Sequence, residues 1–219
     1  MKQLLHEVEE RYGAARNILL PVVVSTHQVE MLRAAERESE QGWNFLVMIF
    51  SGARLIAEVD QTNSKAYRLP EFRLPSDILD LEDFEIAFRD KVLENFGVSI
   101  QISRYLVMAQ CTFMATGEES TAGDDEGTSS RTLHIFTARA INSDDTSAKK
   151  ETLPNVKAVK PQEMLDALQA EWADYKTQLS SGGSLGNMKA EYDKSWAFVR
   201  VRVVATAFQS LFGWPLPEI

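Results

Sequence analysis

Through residues 80–96, Leu81, Phe84, Ala87, Phe88, Val92 and Phe96 recur at three- and four-residue steps, while Asp83, Glu85, Asp90 and Glu94 take other angles. This is the period of a helix with one buried side. Gly97 suits its end, because glycine readily adopts the left-handed conformation that stops helices. The same spacing of Leu4, Leu5, Val8 and Tyr12 in "MKQLLHEVEERYGAARNILL" predicts an amphipathic N-terminal helix. A second helix is predicted over "STHQVEMLRAAERESEQ", with Ser25 or Thr26 as N-cap and Gly42 as stop.

The pattern then changes to short apolar runs. "WNFLVMIF" and "ARLIAEVD" flank Ser51 and Gly52, as in a β-hairpin. After the polar "QTNSK" comes "AYRLP", and Pro70 and Pro75 are expected to keep the chain irregular until Asp80. Two β-rich runs, "ISRYLVMAQCTFMAT" and "RTLHIFTARAI", are separated by "GEESTAGDDEGTSS", which has little to bury and is expected to be a mobile surface loop. Beyond the polar "NSDDTSAKKETLPN" and the short "VKAVKP", the segment "QEMLDALQAEWADYKTQL" puts Met164, Leu165, Leu168 and Trp172 on one helix face. "SSGGSLGN" reads as a linker. The last segment, "MKAEYDKSWAFVRVRVVATAFQSLFGW", reads as a helix, with a strand through "FVRVRVV" as the alternative.

Composition narrows the classes. At 219 residues with 44% hydrophobic and 25% charged positions, the chain can build one sizeable core with extra elements at its ends. A formal charge of -9 repels phosphate backbones and anionic membranes, and no basic run exceeds two residues, so any nucleic-acid patch must be assembled by folding. The single cysteine, Cys111, sits among apolar neighbours and cannot form an internal disulfide, which suits a reducing compartment. No apolar stretch has the length of a membrane span or a signal-peptide core, so a cytoplasmic location is expected. His6 and His27 fall in or beside the N-terminal helices, and His134 lies inside an apolar strand. No Ser-His-Asp, HExxH, paired-Cys, Walker or Rossmann pattern is present. Trp43, Trp172, Trp196 and Trp214 are expected to pack among apolar residues.

The order helix, hairpin, "RLP", glycine-ended helix, two strands and "VKAVKPQEML" resembles the Nudix fold over roughly residues 43–172. The resemblance implies an α/β/α sandwich around a mixed β-sheet. Residues 1–42 would then be an N-terminal helical extension, and 173–219 a C-terminal extension packed on the same core. The family signature runs glycine, five residues, glutamate, seven residues, Arg-Glu, an aliphatic, any residue, Glu-Glu, any residue, glycine and an aliphatic. Counted back from Gly97, Glu82 and Glu94 match glutamates, and Val92 and Val98 match aliphatic positions. Ser76 replaces the opening glycine, Asp90 the arginine, Lys91 the next glutamate and Asn95 the second of the Glu-Glu pair.

In the family, carboxylates at the positions of Lys91, Glu94 and Asn95 converge on a divalent cation. Here that trio is an ammonium, a carboxylate and an amide, formally neutral, so a tightly bound cofactor is not expected. An alternative register, with one extra residue in the helix, would recruit Asp90 and Glu94 as catalytic carboxylates and Glu82, Asp90 and Glu94 as ligands for Mg2+. The resemblance also makes Arg68, Lys91 and Asn95 ligand-facing, with Arg68 at the mouth of the substrate cleft, where it could meet a phosphate. The expected function is a catalytically degenerate Nudix-like binding, scaffold or regulatory subunit, and the alternative is an active hydrolase of nucleoside diphosphate-linked substrates. A protein partner or a homo-oligomer is expected, with nucleotide or RNA as further candidates and no membrane. The terminal extensions are natural docking elements in this reading.

Overall fold

The computed structural model describes residues 2–24, 29–30, 32–33, 42–59, 67–115, 128–141, 155–180 and 188–216. Its helices are α1 (Lys2–Tyr12), α2 (Leu81–Phe96), α3 (Pro161–Ser180) and α4 (Met188–Phe212). The strands are β1 (Arg16–Val24), β2 (Gly42–Ser51), β3 (Arg54–Val59), β4 (Tyr67–Arg68), β5 (Glu71–Pro75), β6 (Ile100–Ala115), β7 (Thr128–Ala140) and β8 (Val156–Val159). They form one sheet in the order β1-β6-β7-β2-β3-β4, with β5 added against β2 and β8 against β3. Two pairings, β1 with β6 and β2 with β7, are parallel, so the sheet is mixed.

Strand β2 lies inside the sheet, and its nearly unbroken run of apolar residues follows from having both faces covered. Phe45, Val47 and Ile49 point into one buried cluster, shared with Leu4 and Val8 of α1 and with Phe84 and Phe88 of α2. Leu46 and Met48 point into a second, shared with Met164 and Leu168 of α3 and with Val199 and Phe208 of α4. The result is the expected three-layer sandwich, helices on both faces of a mixed sheet.

Helix α2 forms as its sequence dictates. The Asp80 carboxylate accepts a hydrogen bond from the Asp83 backbone N–H at 2.8 Å, capping the first turn. Phe84, Phe88, Val92 and Phe96 are its buried stripe. Gly97 ends it at φ 63°, and its N–H donates to the Leu93 carbonyl. A side chain at that φ is strained, so Gly97→Ala is expected to lose about 1–2 kcal/mol of stability in urea unfolding. A loss of only a few tenths would mean that this turn relaxes without penalty. Helix α1 is tied to α2 where the Tyr12 hydroxyl donates to the Glu85 carboxylate, which Arg11 and Arg89 also approach.

Several expectations need correction. The N-terminal region is not wholly helical: α1 stops at Gly13, with φ 89° and its N–H on the Glu9 carbonyl, and "RNILLPVVV" becomes β1. Valines stiff at χ1 favour strand, and Pro21 is accommodated because β1 is a sheet edge. Residues 71–75 are likewise a strand, not an irregular stretch: Phe72 and Leu74 are buried and Glu71 and Arg73 exposed, with β2 as partner. Both terminal segments contribute to the core, and the N-terminal one also to the sheet. Leu4 and Val8 are core residues, β1 extends the sheet along β6, and α4 supplies Val199, Val201 and Phe208 to the interior. "FVRVRVV" is helical throughout, which settles the strand alternative. Of the predicted second helix, 29–30 and 32–33 are helical and the remainder lies outside the described residues, as do 117–127 of the expected loop and 181–187 of the linker-like segment. The last three residues of that loop segment, 128–130, instead open β7, and Ser180 still belongs to α3. Among the described residues no helix is long and apolar enough to cross a membrane.

Candidate functional site

The first candidate is the face of α2 where the family's carboxylates would converge. Lys91 Nζ lies 2.8 Å from Glu94 Oε2, so the ammonium occupies the side of the glutamate that a cation would need. Asn95, the third member, is exposed beside them. An amine that is itself the positive charge does not fit a divalent ion's ligand set. Helix α2 is α-helical at every position from Leu81 to Phe96, without the extra-residue bulge that the other register requires. At 1.5 Å rise per residue, Glu82 and Glu94 stand roughly 18 Å apart along the axis, too far for one ion, while Asp90 and Glu94 are one turn apart. Among the described residues no group of three or more His, Cys, Asp or Glu is placed to hold a metal ion.

The second candidate lies on the other face of the sheet. Arg68 is on β4, opposite Glu58 of β3 in the ladder. Its guanidinium is 3.9 Å from Glu171 Oε1 of α3, which also takes Arg200 of α4 at 3.6 Å. These groups surround a cavity of about 90 Å³, walled by Leu46, Leu69, Leu168 and Val204, with Glu58, Arg68, Glu71 and Arg200 as its polar lining. Arg68 therefore lines a small cavity, where it is tied into an ion network. The two arginines meet three carboxylates there, so the site has no surplus of positive charge for a phosphate. Its volume is well below the roughly 300–1,000 Å³ of small-molecule sites and suits a few water molecules.

Burial holds the Glu58 carboxyl above its usual range; Arg68 opposes the shift and Glu71 adds to it. Because its folded pKa is raised, ionising Glu58 costs stability at high pH, and this cost is relieved as pH falls toward the unfolded value. A carboxyl so placed in a cleft is a recognised mark of a functional group. No local motif marks Glu58, Glu171 or Arg200, which span more than a hundred residues of chain and meet only because β3, α3 and α4 pack together.

The remaining reactive side chains are interior. Cys111 is fully buried in β6, and burial pushes its thiol up to about 12. His134 is buried on β7, with Nδ1 2.7 Å from the Tyr105 hydroxyl and its ring stacked on Trp43 at 5.0 Å between centroids. Burial draws its pKa down to about 4, so it is a neutral core residue at physiological pH.

No protein-family model matches the chain, and no curated protein matches it. Solved structures do. The solution structure of the E. coli ORF135 protein is similar at 11% identity and TM-score 0.34, over 57% of this chain and 77% of that one. A NUDIX family hydrolase from Clostridium perfringens is similar at 12% identity and TM-score 0.33, over 58% and 86% respectively. A UDP-X diphosphatase is similar at 11% identity and TM-score 0.36, over 68% and 71%.

Proposed function

We propose that the chain is a Nudix-like binding or regulatory module in which metal-dependent hydrolysis has been lost. The observation that carries this reading is the 2.8 Å ion pair between Lys91 and Glu94, at the place where the family gathers carboxylates around a cation. An ammonium there repels a divalent ion, and Asn95 contributes an uncharged ligand in place of an anionic one. The small cavity at Arg68, where carboxylates outnumber arginines, supports the same reading, since a nucleoside diphosphate would need more room and more positive charge. Protein partners suit an acidic surface better than RNA does.

The test is calorimetric titration with Mg2+ and Mn2+, together with incubation of the protein with magnesium and a panel of nucleoside diphosphate-linked compounds. No binding heat and no nucleoside monophosphate release are expected. The double variant Lys91→Glu with Asn95→Glu rebuilds the three-carboxylate face and is expected to gain measurable Mn2+ affinity. Turnover that disappears in Glu94→Gln would make the chain an enzyme. A double variant that binds no better than the wild type would show that the charge balance at these positions is not what governs metal binding.

A further inference from the structure

The outward side of α2 carries apolar residues that nothing in the described fold covers. Ile86 and Leu93 are 46% and 49% exposed, and Leu79, just before the helix, is 76% exposed. Seven residues is two helical turns less about 20°, so Ile86 and Leu93 share one line on the helix, about 10 Å apart along its axis. Asp83 and Asp90 repeat the same seven-residue step, forming an acidic border beside that line. Where the helix meets the segment before it, a groove of about 420 Å³ opens, lined by Ile78, Ile86 and Ala87 and by Asp77, Asp83 and Asp90. Among the described residues no basic side chain forms an ion pair with any of these three aspartates. The cations on the rest of the helix are engaged elsewhere, Arg89 with Glu85 and Lys91 with Glu94.

We propose that this face docks a basic amphipathic helix of another protein, whose apolar side chains seat on Ile86, Leu93 and the groove floor while its lysines or arginines meet Asp77, Asp83 and Asp90. A straight apolar line two turns long, with a shallow, open depression at one end, can seat the apolar face of an amphipathic helix. The acidic border selects the partner's sign, and the overall charge of -9 draws a cationic partner in from solution. A second copy packed antiparallel on this face fits less well, because a two-fold axis perpendicular to the helix would set one aspartate border against another. The proposal names a partner class for the binding role put forward above, yet the two fail separately. Nucleotide turnover would overturn that role and leave this surface as it stands.

The experiment is a fluorescence-anisotropy titration of the full chain with a labelled 18-residue Leu/Lys amphipathic peptide. A scrambled peptide of the same composition and a Leu/Glu counterpart serve as comparisons. The Leu/Lys peptide is expected to bind and the other two to bind far more weakly. Ile86→Ser with Leu93→Ser is expected to weaken binding about tenfold or more through lost apolar contact. Asp83→Asn with Asp90→Asn is expected to weaken it several-fold and flatten its salt dependence. Asp166→Asn, on the exposed side of α3, should leave it unchanged. All the substituted side chains are on the surface, so thermal melts should stay near wild type and separate lost binding from lost folding. Equal binding of the scrambled peptide, no binding of the Leu/Lys peptide, or equal weakening by Asp166→Asn would overturn the proposal. So would self-association in sedimentation that Ile86→Glu abolishes, since the face would then belong to a second copy.

Discussion

Phe45→Ala is expected to remove about 3–5 kcal/mol of folding stability, the range for deleting a large aromatic from a well-packed interior. Phe45 has no exposed surface and sits at the centre of an aromatic cluster, with the rings of Phe72, Phe84, Phe88, Phe136 and His134 all within 5.9 Å of its own between centroids. Those rings come from β5, α2 and β7, so the cavity left by alanine has walls on three elements that cannot all close on it. Domains of this kind hold only about 5–15 kcal/mol in total, and 1 kcal/mol moves the midpoint of a protein this size by roughly 2–4 °C. A fall in Tm of about 6–20 °C follows, read by calorimetry beside Leu93→Ala, whose side chain is half exposed and whose loss should cost far less. Equal effects of the two substitutions would mean that the β2–α2 contact is not what holds this layer.

What could be read in advance, and what could not, divides along physical lines. Helix α2 was legible because its apolar period and its Gly97 stop are local and agree with one another, and the structure adds the Asp80 cap. Strand β1 was missed because "ARNILL" continues the apolar spacing of the preceding helix, and nothing in those residues reveals that β6 offers a parallel partner. Strand β5 was missed for a different reason. Its alternation of Phe72 and Leu74 with charged residues is a strand signal, but it is only five residues long and bracketed by prolines, which read as breakers. Local signals report local structure, whereas pairing between distant segments is decided by the whole sheet.

The same division runs through the sites. The Lys91–Glu94 contact follows from a three-residue step on a helix and was foreseeable as a meeting of unlike charges. The network of Glu58, Arg68, Glu171 and Arg200 joins two strands to two helices, and only Arg68 carried a motif to point it out. Ile86 and Leu93 were outside the apolar list that defined the buried stripe, although their seven-residue spacing was in plain view. A helix with a second apolar line is a sign of a second contact, and here that line is shorter than the buried stripe.

The last consequence concerns pH and rests on His134. Its folded pKa of about 4 lies below the ordinary 6.5 because burial disfavours the imidazolium. The unfolded chain therefore takes up a proton at this residue before the folded chain does, and stability present above pH 6.5 is lost as pH falls toward 4. At about 1.4 kcal/mol per pH unit, the full loss is roughly 3 kcal/mol, of which about 2 kcal/mol should already be gone between pH 7 and pH 5. Glu58 acts in the opposite direction, and the other carboxylates act in wild type and variant alike. The quantity to measure is thus the difference in slope between the wild type and His134→Phe, by urea unfolding at several pH values. The variant should start lower at pH 7, because the Tyr105 hydroxyl loses the ring nitrogen 2.7 Å away. It should then fall less steeply, so that the two curves converge as the solution is acidified. Parallel curves would mean that the imidazole is protonated in the fold as easily as in the open chain, and that the space between Trp43, Phe45 and Tyr105 admits water.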